Sequence, residues 1–151
     1  MQACDDLKRA IEELRPAHLL LVGNDLCEPL AQHAAAQACT VLKLSAAQVE
    51  LKQMQTRFDL AIVTEFDCAT QAAAARAMLA GLRDLYARRL LVLAAPACRA
   101  ELTALGFSLL KEYQDSEKLL YGFELKTYKP LPDWLNAQYW ANPEMWDKKR
   151  W

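Results

Sequence analysis

Between residues 4 and 15, Cys4, Leu7, Ile11 and Leu14 recur at helical spacing with charged residues between them, and Pro16 closes the run. Apolar positions three and four apart share a helix face, so the pattern predicts an amphipathic helix with one side laid on the domain. The next segment has a different rhythm: His18-Leu19-Leu20-Leu21-Val22-Gly23 is almost continuously apolar and ends at glycine. Such a run predicts a strand covered on both faces in a parallel sheet. Pro29 opens a predicted helix through Gln37, because proline at a first helical position gives up an N–H that has no partner there anyway. Thr40 to Leu44 then supplies a second strand.

Phe58 to Thr64 is a third, β-branched strand, and Arg89 to Ala95 a fourth. Between them, residues 69–87 predict the longest helix, with Ala75, Met78, Leu79, Leu82, Leu85 and Tyr86 on its inner stripe and Arg76, Arg83 and Asp84 off it. Cys98 to Leu105 predicts a short helix that stops at Gly106. The Gln-rich residues 46–56 leave room for a brief helix or an irregular connection, but not for a further strand. Strand then helix, repeated, specifies a doubly wound α/β fold, since parallel neighbours need crossover helices. After Gly106 the pattern turns to two β-rich runs, Phe107 to Tyr113 and Lys118 to Tyr128, separated by four polar residues that fit a hairpin loop. In the second run Leu119, Tyr121, Phe123 and Leu125 alternate with Lys118, Gly122, Glu124 and Lys126, which predicts one wetter face.

Composition narrows the class. With 151 residues, 54% of them hydrophobic and 25% charged, the chain suits one globular domain. The reading divides it into an α/β domain over 1–128 and an aromatic tail over 129–151. A formal charge of -1 provides no global field for nucleic acid or an anionic membrane, so neither is expected as a partner. The amino-terminal Met1 to Lys8 is polar and acidic rather than a basic start followed by an apolar run, and no apolar stretch approaches the roughly 20 residues of a membrane-crossing helix. A cytoplasmic location is therefore expected. The five cysteines (Cys4, Cys27, Cys39, Cys68 and Cys98) include no C-x-x-C pair. They are read as small core residues in a reducing compartment, with Cys27 singled out because a helix start can lower a thiol pKa.

The buried strand ending at Gly23, the "FDLAIV" and "RRLLVLA" strands, and "ELTALGFSLL" leading into the hairpin occur in an order that resembles the class I S-adenosylmethionine methyltransferase fold. The resemblance covers residues 4 to about 128. It implies a Rossmann-like, mostly parallel sheet, here trimmed to six strands and ending in an antiparallel hairpin, with S-adenosylmethionine as the possible cofactor. Two motifs depart from the pattern. The turn after the first strand is Gly23-Asn24-Asp25-Leu26-Cys27, with a single glycine, and the second strand ends Lys43-Leu44-Ser45-Ala46, with no carboxylate to accept ribose hydroxyls. These departures imply a degraded cofactor site in a binding or interaction protein; the alternative is an S-adenosylmethionine-dependent methyltransferase. The segment from Lys129 to Asn136 also resembles that of small proteobacterial proteins, which implies a bacterial source.

Ligands of open α/β sheets sit beyond the carboxyl ends of the strands, which selects Gly23, Asn24, Asp25 and Ser45 on the cofactor side and Glu65 and Asp67 on the substrate side. Each has a plainer alternative: Asn24 and Asp25 as local turn caps, and Asp67 or Thr64 as the cap of the long helix. No catalytic residue is assigned. His18 and His33 lack ligands at metal spacing, so no metal is assigned either. The tail holds Trp134, Trp140, Trp146 and Trp151. Large aromatics dominate interfaces, so the tail is expected either to wrap its own domain or to dock on a second copy or a protein partner.

Overall fold

The computed structural model describes residues 2–23, 26–45, 57–66, 68–69 and 72–124. The Asn24-Asp25 turn, the 46–56 connection, Asp67, Leu125 and the tryptophan tail with its expected docking all lie outside these residues. The first apolar stripe forms helix α1 (Gln2–Leu14), whose Ala3, Cys4, Leu7 and Ile11 are buried. Strand β1 (His18–Val22) follows, then α2 (Cys27–Ala36), β2 (Thr40–Leu44) and β3 (Phe58–Phe66). Helix α3 (Ala72–Gly81) runs into a π turn (Leu82–Tyr86) and then β4 (Ala87–Ala94). A 3₁₀ turn (Pro96–Cys98), α4 (Arg99–Ala104) and the hairpin strands β5 (Ser108–Tyr113) and β6 (Lys118–Glu124) complete the order.

The six strands form one sheet in the order β2-β1-β3-β4-β6-β5. β1 is parallel to β2 and to β3, and β3 to β4, while β6 is antiparallel to both β4 and β5. The expected six-stranded α/β sheet with an antiparallel end is thus the observed one. Its two faces carry separate cores. Leu19, Leu21, Leu60, Ile62, Leu93, Tyr113 and Leu120 pack with α1 and α2; Leu20, Val22, Ala61, Val63, Leu90, Val92 and Tyr121 pack with α3, the π turn and α4. Central strands buried on both sides explain the continuous apolar runs, because the period of two has no wet face to register.

Several details differ from the sequence reading. α2 begins at Cys27, two residues before Pro29; proline still lies in the first turn, where its lost donor costs nothing. The long helix ends in the π turn, and the wider turn carries Leu85 off the inner stripe, leaving it 64% exposed. Arg83 moves inward instead. Its Nη1 donates to the Leu105 carbonyl at 2.5 Å, and its guanidinium lies 5.6 Å from the centre of the Phe123 ring. β6 has no uniformly wet face, because Leu120 is buried against α1 and α2 on the side expected to be wetter. The stop at Gly106 is as expected: its φ is +86°, its N–H donates to Thr103, and the Phe107 N–H donates to Leu102. This paired closure of a helix end favours glycine, which carries no Cβ penalty at positive φ.

Candidate functional site at the carboxyl ends of the strands

The exits of β1 and β3 and the start of α2 meet at one hydroxyl. Gly23 donates its N–H to the Leu44 carbonyl at 3.0 Å, which brings Ser45 beside the end of β1. Thr64, 2% exposed on β3, donates from Oγ1 to the Val22 carbonyl at 3.2 Å. The Cys27 thiol, at the first residue of α2, lies 3.7 Å from the same oxygen. A Cβ added at Gly23 would collide with Thr64 Oγ1, and Gly23 has a φ of +134°, a conformation open in practice only to glycine. The glycine of this turn therefore leaves room for the protein's own threonine. Sequence reasoning considered Thr64 only as a helix cap, a role excluded by its place inside β3 and its bond to Val22. The signal was its position: it is a hydroxyl in an aliphatic strand, and among the described residues it is the buried polar side chain.

Cys27 does not become an activated thiol. Burial pushes its pKa up, outweighing the hydrogen bond with Thr64, so desolvation prevails over any gain from the helix start. The end of β2 shows where the nearest charges go. Lys43 Nζ donates to Glu28 Oε2 on α2 at 2.6 Å, and that bond holds the Glu28 carboxyl below its usual range. Ser45, half-buried, remains the polar group that follows the strand.

Glu65 is exposed on β3, where the pairing with β4 slips between Val63 and Phe66. A bulge re-aims the side chains around it, and here it sets Glu65 outside the core while Thr64 faces in. Just beyond the last β3–β4 pair, Phe66 with Ala94, the chain carries a disulfide between Cys68 and Cys98 with Cα atoms 5.7 Å apart. This corrects the reading of all five cysteines as unbonded core thiols; spacing along the chain does not show that β3 and β4 are neighbours whose exits meet. Cys4, Cys27 and Cys39 are free. His33 contacts Glu12 at 3.0 Å and Gln37 at 3.2 Å on the surface. Among the described residues no group of three or more His, Cys, Asp or Glu is placed to hold a metal ion, and no helix is long and apolar enough to cross a membrane.

A cavity of about 320 Å³ lies at the other end of the sheet, lined by Leu14, Leu60, Leu91, Leu110, Arg89 and Glu124 among others. Its two charges answer each other, with Arg89 Nε donating to Glu124 Oε1 at 2.9 Å. Fold position and cavity volume thus point to opposite ends: in open α/β sheets ligands sit beyond the carboxyl ends of the strands, whereas this cavity lies at their amino ends.

Solved structures share this arrangement. Magnesium protoporphyrin IX methyltransferase from Synechocystis PCC 6803 with bound SAM superposes with a TM-score of 0.51 at 19% identity, over 80% of this chain and 77% of that one. The same enzyme with bound SAH gives 0.50 at 16% identity, over 80% and 81%. The methyltransferase domain of bacterial CtHen1 gives 0.56 at 10% identity, over 82% of this chain and 98% of that domain. At such identities the likeness is one of fold, the Rossmann-like methyltransferase architecture. No curated protein matches the chain. The match that spans residues 1–151 is to DUF6231, a family of unknown function, and the chain belongs to that family.

Proposed function

We propose that this is a methyltransferase-fold binding protein whose S-adenosylmethionine seat is curtailed, so that the crevice serves a ligand or partner without methyl transfer. The observation that carries the reading is the Thr64 hydroxyl beneath Gly23, in the space that a glycine turn would otherwise leave open. Support comes from the end of β2, where Lys43, Leu44 and Ser45 stand where a ribose would need a carboxylate and the Glu28 carboxylate is engaged by Lys43. A cofactor that loses both close backbone approach and two hydroxyl acceptors gives up much of what would offset its desolvation. The methyltransferase fold has S-adenosylmethionine- and S-adenosylhomocysteine-bound examples among its neighbours; if the cofactor binds here, Gly23, Asn24, Asp25 and Ser45 would line its side and Glu65 and Asp67 the substrate side. A bacterial setting belongs to the same proposal and rests on the resemblance of the segment from Lys129 to Asn136 to small proteobacterial proteins.

Thermal unfolding of the full chain with and without S-adenosylhomocysteine tests this. A ligand at a hundred times its Kd stabilises the native state by about 2.7 kcal/mol. An unchanged midpoint at millimolar ligand is expected. A shift of several degrees would establish a working cofactor site and overturn the curtailed reading in favour of the enzyme.

A further inference from the structure

The Cys68–Cys98 disulfide lies where β3 and β4 end. β3 and β4 are adjacent and parallel, and their last pair is Phe66 with Ala94. Cys68 follows β3 by two positions and Cys98 follows β4 by four, so the bond closes the seam between the two strands on the crevice side of the sheet. The two ends differ in access. Cys98 is 2% exposed within the core against α4, whereas Cys68 is only half-buried. The reduced state also has a place for its new donor, because Cys98 Sγ lies 3.7 Å from the Phe66 carbonyl. On reduction a Cys98 thiol would thus have an acceptor at hand, while the covalent link between the two strand exits would be gone.

We propose that Cys68 and Cys98 form a redox latch across the rim of the crevice, joining the exits of β3 and β4 when oxidised and freeing them when reduced. The proposal regulates the site of the preceding section and rests on that crevice being the ligand-binding end. A thiolate of a small thiol such as glutathione attacks Cys68 Sγ, on the less buried of the two residues, and forms a mixed disulfide. The bond to Cys98 breaks, and Cys98 leaves as a thiolate, takes a proton from water and donates to Phe66. A second glutathione thiolate attacks the glutathione sulfur of the mixed disulfide, and Cys68 leaves and is protonated. The protein gains two electrons and two protons, and two glutathiones become one glutathione disulfide. In a reducing compartment a surviving disulfide is characteristically of this switching kind.

The test needs no crevice ligand. Full-length protein is equilibrated in glutathione buffers from oxidised to reduced, alkylated and mapped by mass spectrometry, and amide hydrogen exchange is measured at the two ends of that range. The expected result is a Cys68–Cys98 linked peptide in the oxidised buffer and two alkylated thiols in the reduced one. Amides of 57–66 and 95–107 should exchange roughly tenfold faster on reduction, while those of β1 and β2 hold. The variant Cys68→Ser should show the reduced pattern in both buffers; if that variant does not fold, the wild-type pair of buffers still decides. Free thiols in the oxidised buffer, or identical exchange in the two states, would overturn the latch. Neither result touches the cofactor question, which the thermal shift answers independently.

Discussion

The two ends of the sheet contrast in what they offer. The amino end has a cavity of about 320 Å³, lined by five leucines among other residues and by the paired Arg89 and Glu124. The carboxyl end has Gly23, Thr64, Cys27, Ser45 and Glu65 around the strand exits, with a disulfide at its rim. Volume marks where side chains happen not to meet. Chemistry concentrates where strand ends leave backbone groups and polar residues facing a common space. A hydroxyl buried among aliphatics, a positive-φ glycine and a β-bulge within a few residues are each costly or unusual alone. Their coincidence at one end marks that end as specialised.

The contrast can be broken most severely at Gly23. Gly23→Ala adds positive-φ strain and a collision with Thr64, and strain with overpacking should destabilise the protein by about 4 kcal/mol. Urea denaturation would check this; a loss under 1 kcal/mol would mean that the turn relaxes and that Thr64 is not locked beneath it.

A smaller effect is expected at the outer corner of the same end, where Tyr113 donates to Asp6 Oδ2 at 2.8 Å and Lys111 donates to the same oxygen at 2.5 Å. The Lys111 bond first, then the Tyr113 bond, lowers the Asp6 pKa from the ordinary 3.8, so the contact stabilises the fold above that value and is lost as pH falls through the lower folded value. The Tyr113 hydroxyl is shifted the opposite way, up from 10.0, by burial and then by Asp6. Its contribution is complete below pH 10.0 and fades as pH rises above it. Tyr113→Phe should cost about 2 kcal/mol at neutral pH and abolish the alkaline limb. A variant that keeps the wild-type alkaline fall would remove Tyr113 as its source.

The amino end should respond least. Arg89→Met breaks an ion pair whose side chains are 38% and 30% exposed, and such pairs contribute within about 1 kcal/mol. A larger loss in the same denaturation experiment would show that the cavity end is organised around its charges and would weaken the contrast.

Much of the fold was legible along the chain. The apolar runs at Leu19–Val22, Phe58–Val63 and Leu90–Ala94 gave the strands, and the Gly106 stop was placed to the residue, because burial on both faces and a positive-φ closure each write directly into residue type. Leu85 and Arg83 were misplaced, since a π turn changes which face a residue meets without changing any residue. At the strand exits, position along β1 and β2 placed Gly23 and Ser45 at the ends of their strands, whereas the contacts of Thr64 were hidden. Its partners Val22 and Cys27 lie 42 and 37 residues away.

What the amino-acid order determined by itself was local: periodicity, breakers and the succession of strand and helix that specifies a doubly wound α/β sheet. What only the tertiary structure decided were meetings between distant segments, the threonine under the glycine and the cysteine pair across the β3–β4 seam. The reason is physical. A hydrophobic period reports burial, which any neighbour can satisfy, but a hydroxyl, a thiol or a disulfide needs one particular partner, and that partner is supplied by the way the sheet is wound.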